Sequence, residues 1–295
     1  MSAGQPGGES GPGSRTHRAI AEVLESERLP GEHHRLLLRA PRIAEDASPG
    51  QFVHVWCHPP NEMDRPPCAA VLRRPFSISR LRPPDGVELL FRVRGVGGRM
   101  LANTARGDQL DIIGPLGHGF RMPASLRAAV VVAGGIGVAP VPFLLQQLTS
   151  ALVETVVLVG AARDDSIPYR VERLVGVPAT LPGLSALGAE VNFVSEAGDG
   201  VLVSDLLERR LPAFDAASTE VMAIGPRAMV RRIAALVGQR LPVQVSLEER
   251  MACGLGACRS CVVPVCSEGA LGYKTVCHDG PVFYATEIAW ERLDP

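Results

Sequence analysis

Five of the seven cysteines of this 295-residue chain lie in one short segment near its C-terminal end. Four of them follow the spacing Cys-x4-Cys-x2-Cys, with the last after 15 intervening residues, namely Cys253, Cys258, Cys261 and Cys277. This spacing is typical of plant-type [2Fe–2S] centres, where a tight loop supplies three thiolates to two irons and a more distant residue supplies the fourth. A secreted disulfide scaffold would instead spread its cysteines through a short chain. The segment therefore predicts an iron–sulfur site with these four cysteines as ligands.

Small residues occupy the loop between the first two of these cysteines. Gly254, Gly256 and Ala257 keep side chains out of the loop, so its backbone N–H groups can point at the sulfurs and tune the reduction potential. A structural zinc site is the alternative interpretation, although zinc sites usually show two separated cysteine pairs. The spacing favours the [2Fe–2S] centre.

The remaining cysteines do not fit the pattern. Cys266 is a second candidate for the fourth ligand, in place of Cys277. Cys57 and Cys68 lie far from the others along the chain, and we interpret them as ordinary small side chains.

A second segment contains residues that could bind a cofactor. It spans residues 73–79 and reads Arg-Arg-Pro-Phe-Ser-Ile-Ser. A guanidinium in it can clamp a pyrophosphate through two parallel hydrogen bonds, and the hydroxyl of Ser77 can reach a ring heteroatom. Further on, residues 91–98 end in two glycines and offer bare backbone N–H groups for a phosphate. Taken alone, an edge strand with a solvated arginine explains the first segment equally well.

A glycine-rich turn follows an apolar run at residues 130–133. It reads GGIGVAP at 134–140, and its candidate phosphate contacts are Gly134, Gly135 and Gly137. A strand, a glycine loop and a helix start form a phosphate-binding arrangement, because the backbone can approach a pyrophosphate and the helix N-terminus favours its charge. The motif is not the usual G-x-G-x-x-G, so a plain tight strand–helix turn remains the alternative.

Acidic residues follow the next strand of this region. The sequence there is Gly160-Ala-Ala-Arg163-Asp164-Asp165. An acidic side chain at this place can accept a hydrogen bond from a ribose 2′-hydroxyl and repel a 2′-phosphate, whereas Arg163 acts in the opposite direction. The segment predicts NAD rather than NADP.

The pattern of predicted strands and helices that would position these segments changes along the chain. Residues 17–122 contain short apolar or alternating runs between Pro, Gly and Asp turns, which predicts a small barrel or sandwich. Residues 126–242 alternate buried-strand runs with helix candidates, which predicts βαβ units and a parallel sheet. Residues 243–295 are too few to bury much core, and a metal centre would stabilise them.

Individual elements can be predicted from the same patterns. The predicted strands are 36–39, 51–56, 87–93, 109–113, 128–133, 155–160, 190–194 and 220–224. The predicted helices are 141–152, 204–210 and 228–241.

Composition excludes several classes of protein. The apolar fraction of 46 % is enough to build cores, and the net charge of −1 without a basic run gives no reason to expect nucleic acid as a partner. Residues 1–16 lack an apolar signal segment, so we expect a disordered tail and a cytoplasmic protein. Residues 128–145 carry no charge, but their glycines and prolines indicate a strand, a loop and a helix start rather than a membrane span.

Taken together, these motifs resemble the ferredoxin–NADP reductase superfamily. The matching stretches are 49–52 (PGQF), 74–77 (RPFS), 107–108 (GD), 114–117 (GPLG), 134–140 and 225–226 (GP). The tail, with EERMACGLGAC at 248–258 and KTVCHDGPVF at 274–283, resembles the electron-transfer subunits of class B dihydroorotate dehydrogenases. The resemblance covers about residues 18–287.

This resemblance implies a multidomain protein. Its expected parts are a disordered tail (1–16), an FAD-binding β-barrel (17–125), a Rossmann-like α/β NAD domain (126–242) and a small C-terminal [2Fe–2S] domain (243–295). Carried over by position, the FAD contacts are Arg74, Pro75, Phe76, Ser77, Leu90, Phe91, Arg92, Gly97 and Gly98. The implied cluster ligands are the four cysteines of the C-terminal spacing, NAD is the substrate, and no catalytic side chain is assigned.

The implied activity is electron transfer between NAD(H), FAD, the [2Fe–2S] cluster and the FMN of a partner dihydroorotate dehydrogenase subunit, in a heterotetramer of two copies of each chain. FAD is the needed converter between a two-electron carrier and a one-electron cluster. Two alternatives stay open. One is the same module in a ferredoxin:NAD(P) transhydrogenase or hydrogenase-type complex, and the other is a non-enzymatic scaffold protein with a zinc site.

Three positions depart from the superfamily pattern. Gly98 stands where Thr or Ser is common, Phe76 where Tyr is common, and Ile224 where Cys often precedes the Gly-Pro pair. We therefore expect no side-chain hydrogen bond to FAD from Gly98 and no phenol contact to the flavin from Phe76. We also expect no thiol near the transferred hydride at Ile224.

Overall fold

The computed structural model describes residues 15–57, 72–175, 177–238, 240–267 and 269–293. Almost all of the predicted tail at 1–16, and Cys68, lie outside the described residues. The described chain forms a closed six-stranded barrel, a six-stranded sheet with helices on both faces, and a two-stranded hairpin.

The N-terminal strands close into a barrel with the strand order β1-β2-β5-β4-β3-β6. The bounds are β1 His17–Leu29, β2 His33–Arg39, β3 Phe52–Val55, β4 Arg74–Arg82, β5 Gly86–Arg92 and β6 Gln109–Leu116. Two short helices, α1 Pro41–Asp46 and α2 Gly95–Leu101, accompany them. All described pairings in the barrel are antiparallel. The barrel expectation is confirmed, and closure leaves no free sheet edge.

Alternation of side chains fills the interior of the barrel. In β1, Ala21 and Val23 are buried while their neighbours are not, which is the period-two pattern of a strand with one face in a core. Leu36, Leu89 and Ile112 from three other strands join the same apolar cluster. β1 was not predicted from the sequence. Only Ala21 and Val23 of its 13 residues are buried, so the strand shows too short an alternation of apolar and polar positions to be recognised.

The second body is a sheet with the order β14-β11-β10-β7-β8-β9. Its strands are β7 Ala128–Gly134, β8 Glu154–Ala161, β9 Glu190–Ser195, β10 Thr219–Ile224, β11 Val243–Ser246 and β14 Val282–Tyr284. The helices are α3 Val141–Ser150, α4 Pro182–Ser185, α5 Glu196–Asp199, α6 Val203–Arg210 and α7 Arg227–Val237. All neighbours are parallel except β14, which pairs antiparallel with β11.

Helices cover both faces of this sheet, which is why its central strands are continuously apolar. α6 and α7 pack on one face, and α3 and α4 on the other. The uncharged stretch at 128–145 is β7, a turn and the start of α3. No helix in the described part of the chain is long and apolar enough to cross a membrane.

The C-terminal residues are less separate than the sequence predicts. β12 Val262–Ser267 and β13 Ala270–Thr275 form their own hairpin, but β14 adds an edge strand to the α/β sheet. β11, at 243–246, lies inside that sheet, so the boundary predicted after residue 242 falls one strand too early. A strand of four residues followed by cysteines carries no pattern that would assign it to the preceding domain.

Candidate functional site

A cleft of about 1040 Å³ separates the barrel from the carboxyl ends of the parallel strands. Most of the predicted cofactor residues line it: Pro75, Phe76, Ser77, Leu90, Phe91, Arg92, Gly134, Gly135 and Gly137. Ligands of open α/β sheets bind outside the carboxyl ends of the strands, so the location fits a dinucleotide. The structure thus brings two segments 60 residues apart in the chain to one cavity.

The barrel wall of the cleft comes from adjacent strands β4 and β5. The rings of Phe76 and Phe91 meet edge-on with centroids 5.1 Å apart. They give the cleft an apolar wall, with Ser77 beside it.

Arg74, Gly97 and Gly98 lie beside this wall rather than in it. A Cβ added to Gly97 would stand 3.3 Å from Cγ of Arg74 and 3.2 Å from Sγ of Cys57, so the arginine, Gly97 of α2 and a buried thiol are in close contact. Nη1 of Arg74 donates to the carbonyl oxygen of Leu72 at 3.0 Å. The predicted clamp and the predicted phosphate turn are therefore neighbours.

Arg73 has a different environment from Arg74. Its Nη2 donates to a carboxylate oxygen of Asp111 at 2.5 Å, and its Nη1 to the Asp111 carbonyl at 2.7 Å. Arg18 donates to the same carboxylate from the other side at 2.8 Å. Burial acts to raise the pKa of Asp111, but the hydrogen bonds and charges of the two arginines outweigh it and hold that pKa below its usual range. Arg73 fixes the barrel and is not available as a phosphate clamp.

The glycine turn serves packing as well as a cofactor site. A Cβ on Gly137 would stand 2.4 Å from the carbonyl oxygen of Ile224, and one on Gly134 2.5 Å from the sulfur of Met229. These glycines allow the turn to press against the end of β10 and the start of α7. Gly135 has nothing within 4 Å of that position and a φ of +53°, and it lines the cleft. Packing thus accounts for Gly134 and Gly137, and the phosphate contact expected at this turn stays a prediction for which Gly135 is the open position.

The acidic residues after β8 are arranged differently from what we expected. Asp164 accepts two hydrogen bonds from Arg173 at 2.8 Å and one from the Ser195 hydroxyl at 2.6 Å, and Arg173 lowers its pKa to about 2. Asp165 pairs with Arg163 in solvent. On the side of β8 and β9, a carboxylate that lines the cleft belongs instead to Glu196, directly after β9. It was missed because its strand carries no nucleotide motif.

The opposite wall of the cleft comes from the end of β11 and the residues after it. Ser246, Leu247, Glu248 and Met251 line the cavity just before the first cysteine of the loop. None of these was assigned as a site residue from the sequence. The signal that could have found them is the strand preceding Ser246, whose carboxyl end must face the same edge as the other parallel strands.

The cysteine loop surrounds its sulfurs with backbone donors. Sγ of Cys253 accepts from the N–H groups of Leu255 at 3.3 Å and Cys258 at 3.4 Å. Sγ of Cys277 accepts from the N–H of Gly256 at 3.1 Å. N–H donors aimed at sulfurs are the arrangement expected around an iron–sulfur centre, as we predicted from the small residues of the loop.

The four sulfurs fall into two pairs. Cys253 and Cys258 are linked by the bond just described, and the N–H of Cys277 donates to Sγ of Cys261 at 3.4 Å. Among the described residues, no three His, Cys, Asp or Glu side chains are placed to hold one metal ion. Cys266 lies exposed on β12 and pairs with Leu271, away from the other sulfurs.

The surroundings of the thiols differ strongly. Hydrogen bonds from Ser260 lower the pKa of Cys258 to about 6, and this residue is exposed. Burial raises the pKa of Cys277 to about 12, so its thiolate needs a compensating positive charge. An iron ion would supply that charge, and the residues present therefore fit a cluster with one exposed and one buried edge.

Comparison with known proteins agrees with this geometry. Residues 248–289 match the family model of the iron–sulfur cluster binding domain of dihydroorotate dehydrogenase B. The electron transfer subunit of dihydroorotate dehydrogenase B (NAD(+)) from Desulforamulus reducens is 38 % identical over 85 % of this chain and 90 % of the relative. Its counterpart from Bacillus caldolyticus is 37 % identical over 90 % and 96 %.

The chain belongs to this family of electron-transfer subunits. The expectation of an NAD-linked oxidoreductase subunit that transfers electrons is thereby confirmed, and the cofactor set of FAD, [2Fe–2S] and NAD as substrate is supported. Solved structures show the same fold. A chain of the NADH-dependent reduced ferredoxin–NADP oxidoreductase has a TM-score of 0.74 at 23 % identity, covering 93 % of this chain and 91 % of that one. Phthalate dioxygenase reductase has a TM-score of 0.58 at 13 % identity, covering 88 % of this chain and 77 % of that one.

Proposed function

We propose that this subunit passes electrons between NAD(H) and the FMN of a partner dihydroorotate dehydrogenase subunit, where dihydroorotate and orotate are interconverted. The observation that carries the proposal is the placement of a dinucleotide cleft and a four-cysteine loop on adjoining parts of one structure. Ser246–Met251 forms the wall of the cleft and leads directly into the loop at Cys253.

The barrel side of the cleft holds FAD in this proposal. Phe76 and Phe91 face the flavin with an apolar wall, and Ser77 offers a hydroxyl to it. Arg74 and the Gly97-Gly98 pair of α2 bind the pyrophosphate, since Gly97 leaves a space beside the aliphatic part of the Arg74 side chain that a Cβ would fill. FAD supplies the conversion of a hydride into two single electrons.

The sheet side of the cleft binds NAD(H). Gly135 exposes backbone at the carboxyl end of β7, where a pyrophosphate can approach. Glu196 is placed to accept from a ribose hydroxyl and would repel a 2′-phosphate. Arg173, which lies beside Gly198 of α5, is held by Asp164 and Asp199.

The cysteine loop holds the [2Fe–2S] cluster through Cys253, Cys258, Cys261 and Cys277. The spacing Cys-x4-Cys-x2-Cys with a distant fourth cysteine suits two irons better than one zinc ion, whose sites usually show two separated cysteine pairs. The exposure of Cys258 leaves one edge of the site open to a partner protein.

The assembly in this proposal is a heterotetramer of two copies of each subunit in the cytoplasm. The names of the relatives as electron transfer subunits support a catalytic partner. A cytoplasmic location suits cysteines that must stay reduced to bind iron. The transhydrogenase alternative is supported by a likeness of fold at only 23 % identity, against 38 % for the dihydroorotate dehydrogenase relative.

Cofactor analysis of the chain tests this function. Purified without air, it should contain about one FAD, two irons and two acid-labile sulfides per chain, as a single [2Fe–2S] centre requires. Mixed with an FMN-containing dihydroorotate dehydrogenase catalytic subunit, it should support dihydroorotate:NAD activity. A colourless protein with one zinc and no iron would exclude the proposal, and a fully loaded subunit inactive with every such partner would favour the transhydrogenase-type complex.

A further inference from the structure

One histidine of the barrel has no role in the site described so far. His54, in β3, is 0 % exposed, and neither of its ring nitrogens forms a hydrogen bond of good geometry with the described residues, although the backbone of Cys253 and that of Arg73 face the ring as polar neighbours. Buried polar groups in proteins are nearly always hydrogen-bonded, so we expect an acceptor for this ring on the side where the cysteine loop lies.

The imidazole of His54 lies against the cysteine loop. A Cβ added to Gly254 would stand 2.5 Å from Nδ1 of His54 and 3.0 Å from its Cγ and Cε1. Gly254 has a φ of +72° and follows Cys253 directly. Only a residue without a side chain therefore allows the loop to approach the ring this closely.

The same ring lies beside the flavin wall. His54 is the direct cross-strand partner of Pro75, and paired residues of antiparallel strands present their side chains on the same face. Pro75 lines the cleft. His54 is thus placed where the wall of the cleft and the cysteine loop meet. Nη1 of Arg73 lies 3.5 Å from the backbone carbonyl oxygen of His54.

We propose that His54 is a positioning residue for the iron–sulfur centre, with its imidazole N–H donating a hydrogen bond into the cluster site beside Cys253. A neutral imidazole carries one N–H and one lone pair, so one ring nitrogen is a donor in either tautomer. Hydrogen bonds to the sulfurs stabilise the added negative charge of the reduced cluster and raise its reduction potential. The inference rests on the proposed function, because it needs the cluster at the four cysteines.

Pulsed EPR of the reduced wild-type holoprotein gives the first test. With histidine labelled by ¹⁵N, the cluster should show a hyperfine coupling to a histidine nitrogen. The other described histidines near the site are His278, which follows Cys277 directly, and His118, whose ring centroid lies 6.3 Å from that of His278, so the coupling should persist in His118→Asn and in His278→Asn. A sample with two irons and no such coupling, or one whose coupling disappears in either variant, would overturn the inference. A sample without iron would instead refute the proposed function.

Redox titration of variants gives the second test. In His54→Leu the donor is lost, and the ratio of oxidised to reduced cluster at a fixed poise should rise about tenfold, which for one electron is a fall of about 59 mV. His54→Gln keeps an N–H donor and should recover most of the shift. His34→Leu, which removes another buried barrel histidine, should leave the potential unchanged. An iron-replete His54→Leu protein with the wild-type potential would contradict the proposal, and if that variant binds no iron the pulsed EPR result decides.

Discussion

At the scale of single residues, two adjacent arginines have separate tasks. Arg73 is 15 % exposed and bound to an Asp111 side chain that is 3 % exposed, while Arg74 lies beside the glycine turn of α2. Successive residues of a strand point to opposite faces, which is why neighbours in the chain meet different surroundings. The structural ion pair holds the strand that presents the cofactor arginine.

Loss of the Asp111 carboxylate should destabilise the barrel. Asp111→Asn leaves Arg73 without its counter-charge, and we expect a loss of about 3 kcal/mol in the free energy of unfolding at pH 7. Because the pKa of Asp111 is lowered in the folded state, its contribution is full above the ordinary carboxyl pKa of about 4 and is lost as the pH falls through the lower folded value.

Urea unfolding followed by circular dichroism, at a series of pH values, measures this effect. The difference between wild type and Asp111→Asn should shrink below about pH 4. Asp165→Asn, which breaks an ion pair exposed by 67 % on both sides, is the matched control and should leave the free energy of unfolding close to that of the wild type. A wild-type-to-variant difference that is independent of pH would show that the carboxylate charge is not the cause.

Removal of the Arg74 side chain should weaken FAD binding. A charge-assisted bidentate contact to a phosphate is worth about 1.5–3 kcal/mol, so Arg74→Ala should bind FAD roughly 10- to 100-fold more weakly. The measurement is the FAD content per chain after dilution and gel filtration. Arg39→Ala, which loses an exposed ion pair with Glu22 elsewhere on the barrel, should keep its flavin. Full occupancy in Arg74→Ala would mean that another group binds the pyrophosphate.

At the scale of elements, close approach of backbone decides where glycine is required. The cysteine loop approaches β3 through Gly254, whereas Gly269, in the turn between β12 and β13, has a similar positive φ of +79° and nothing within 4 Å. The two positions carry the same backbone conformation and differ in the space around them. They form a matched pair for separating conformational strain from a steric clash.

Alanine at these two positions should have different consequences. Gly269→Ala bears only the cost of a left-handed alanine, on the order of 1 kcal/mol, and should retain its iron. Gly254→Ala adds a methyl group 2.5 Å from the His54 ring and should displace the loop, so that less than about half of the iron is bound. Iron and acid-labile sulfide per chain measure this. Equal iron contents in the two variants would show that the contact with β3 does not position the loop.

Motifs with chemistry could be predicted from the sequence better than the packing around them. The cysteine spacing and the glycine turn could be recognised in the sequence because each depends on residues that are close together in the chain. Glu196 and His54 carry no such pattern, and only the arrangement of strands brings them to the cleft and to the cysteine loop. The position of β11 was missed for the same reason, since strand pairing is a long-range property.

At the scale of the whole molecule, one apolar core joins all three parts. Phe52 and Leu116 of the barrel, Val130 of the sheet, and Val263 and Cys277 of the C-terminal unit belong to a single buried cluster. The N–H of His118, just after the barrel, also donates to the carbonyl of Gly280 at 2.5 Å. Shared burial of this kind favours a cysteine loop held in a fixed relation to the cleft, which suits electron transfer without a moving domain.

We propose that electrons leave this subunit through the cysteine loop, while hydride exchange takes place in the cleft. The cleft is lined by the barrel, the sheet and the segment after β11, and no cysteine of the described chain is part of its wall. Reduction of the flavin by NADH should therefore not need the cluster. Cys258→Ser removes the exposed proposed ligand, and Cys266→Ser, an exposed cysteine on β12, is the matched control.

Stopped-flow reduction of the partner's FMN by NADH, in the reconstituted complex, measures this route most directly. The samples are wild type, Cys258→Ser and Cys266→Ser, each shown by circular dichroism and FAD content to be folded and flavin-replete, because loss of a ligand can unfold a metal-centred unit. We expect Cys266→Ser to match wild type, and Cys258→Ser to lose FMN reduction while still reducing a dye that accepts electrons from FAD. Reduction of FMN at the wild-type rate by folded, FAD-replete Cys258→Ser would contradict the account.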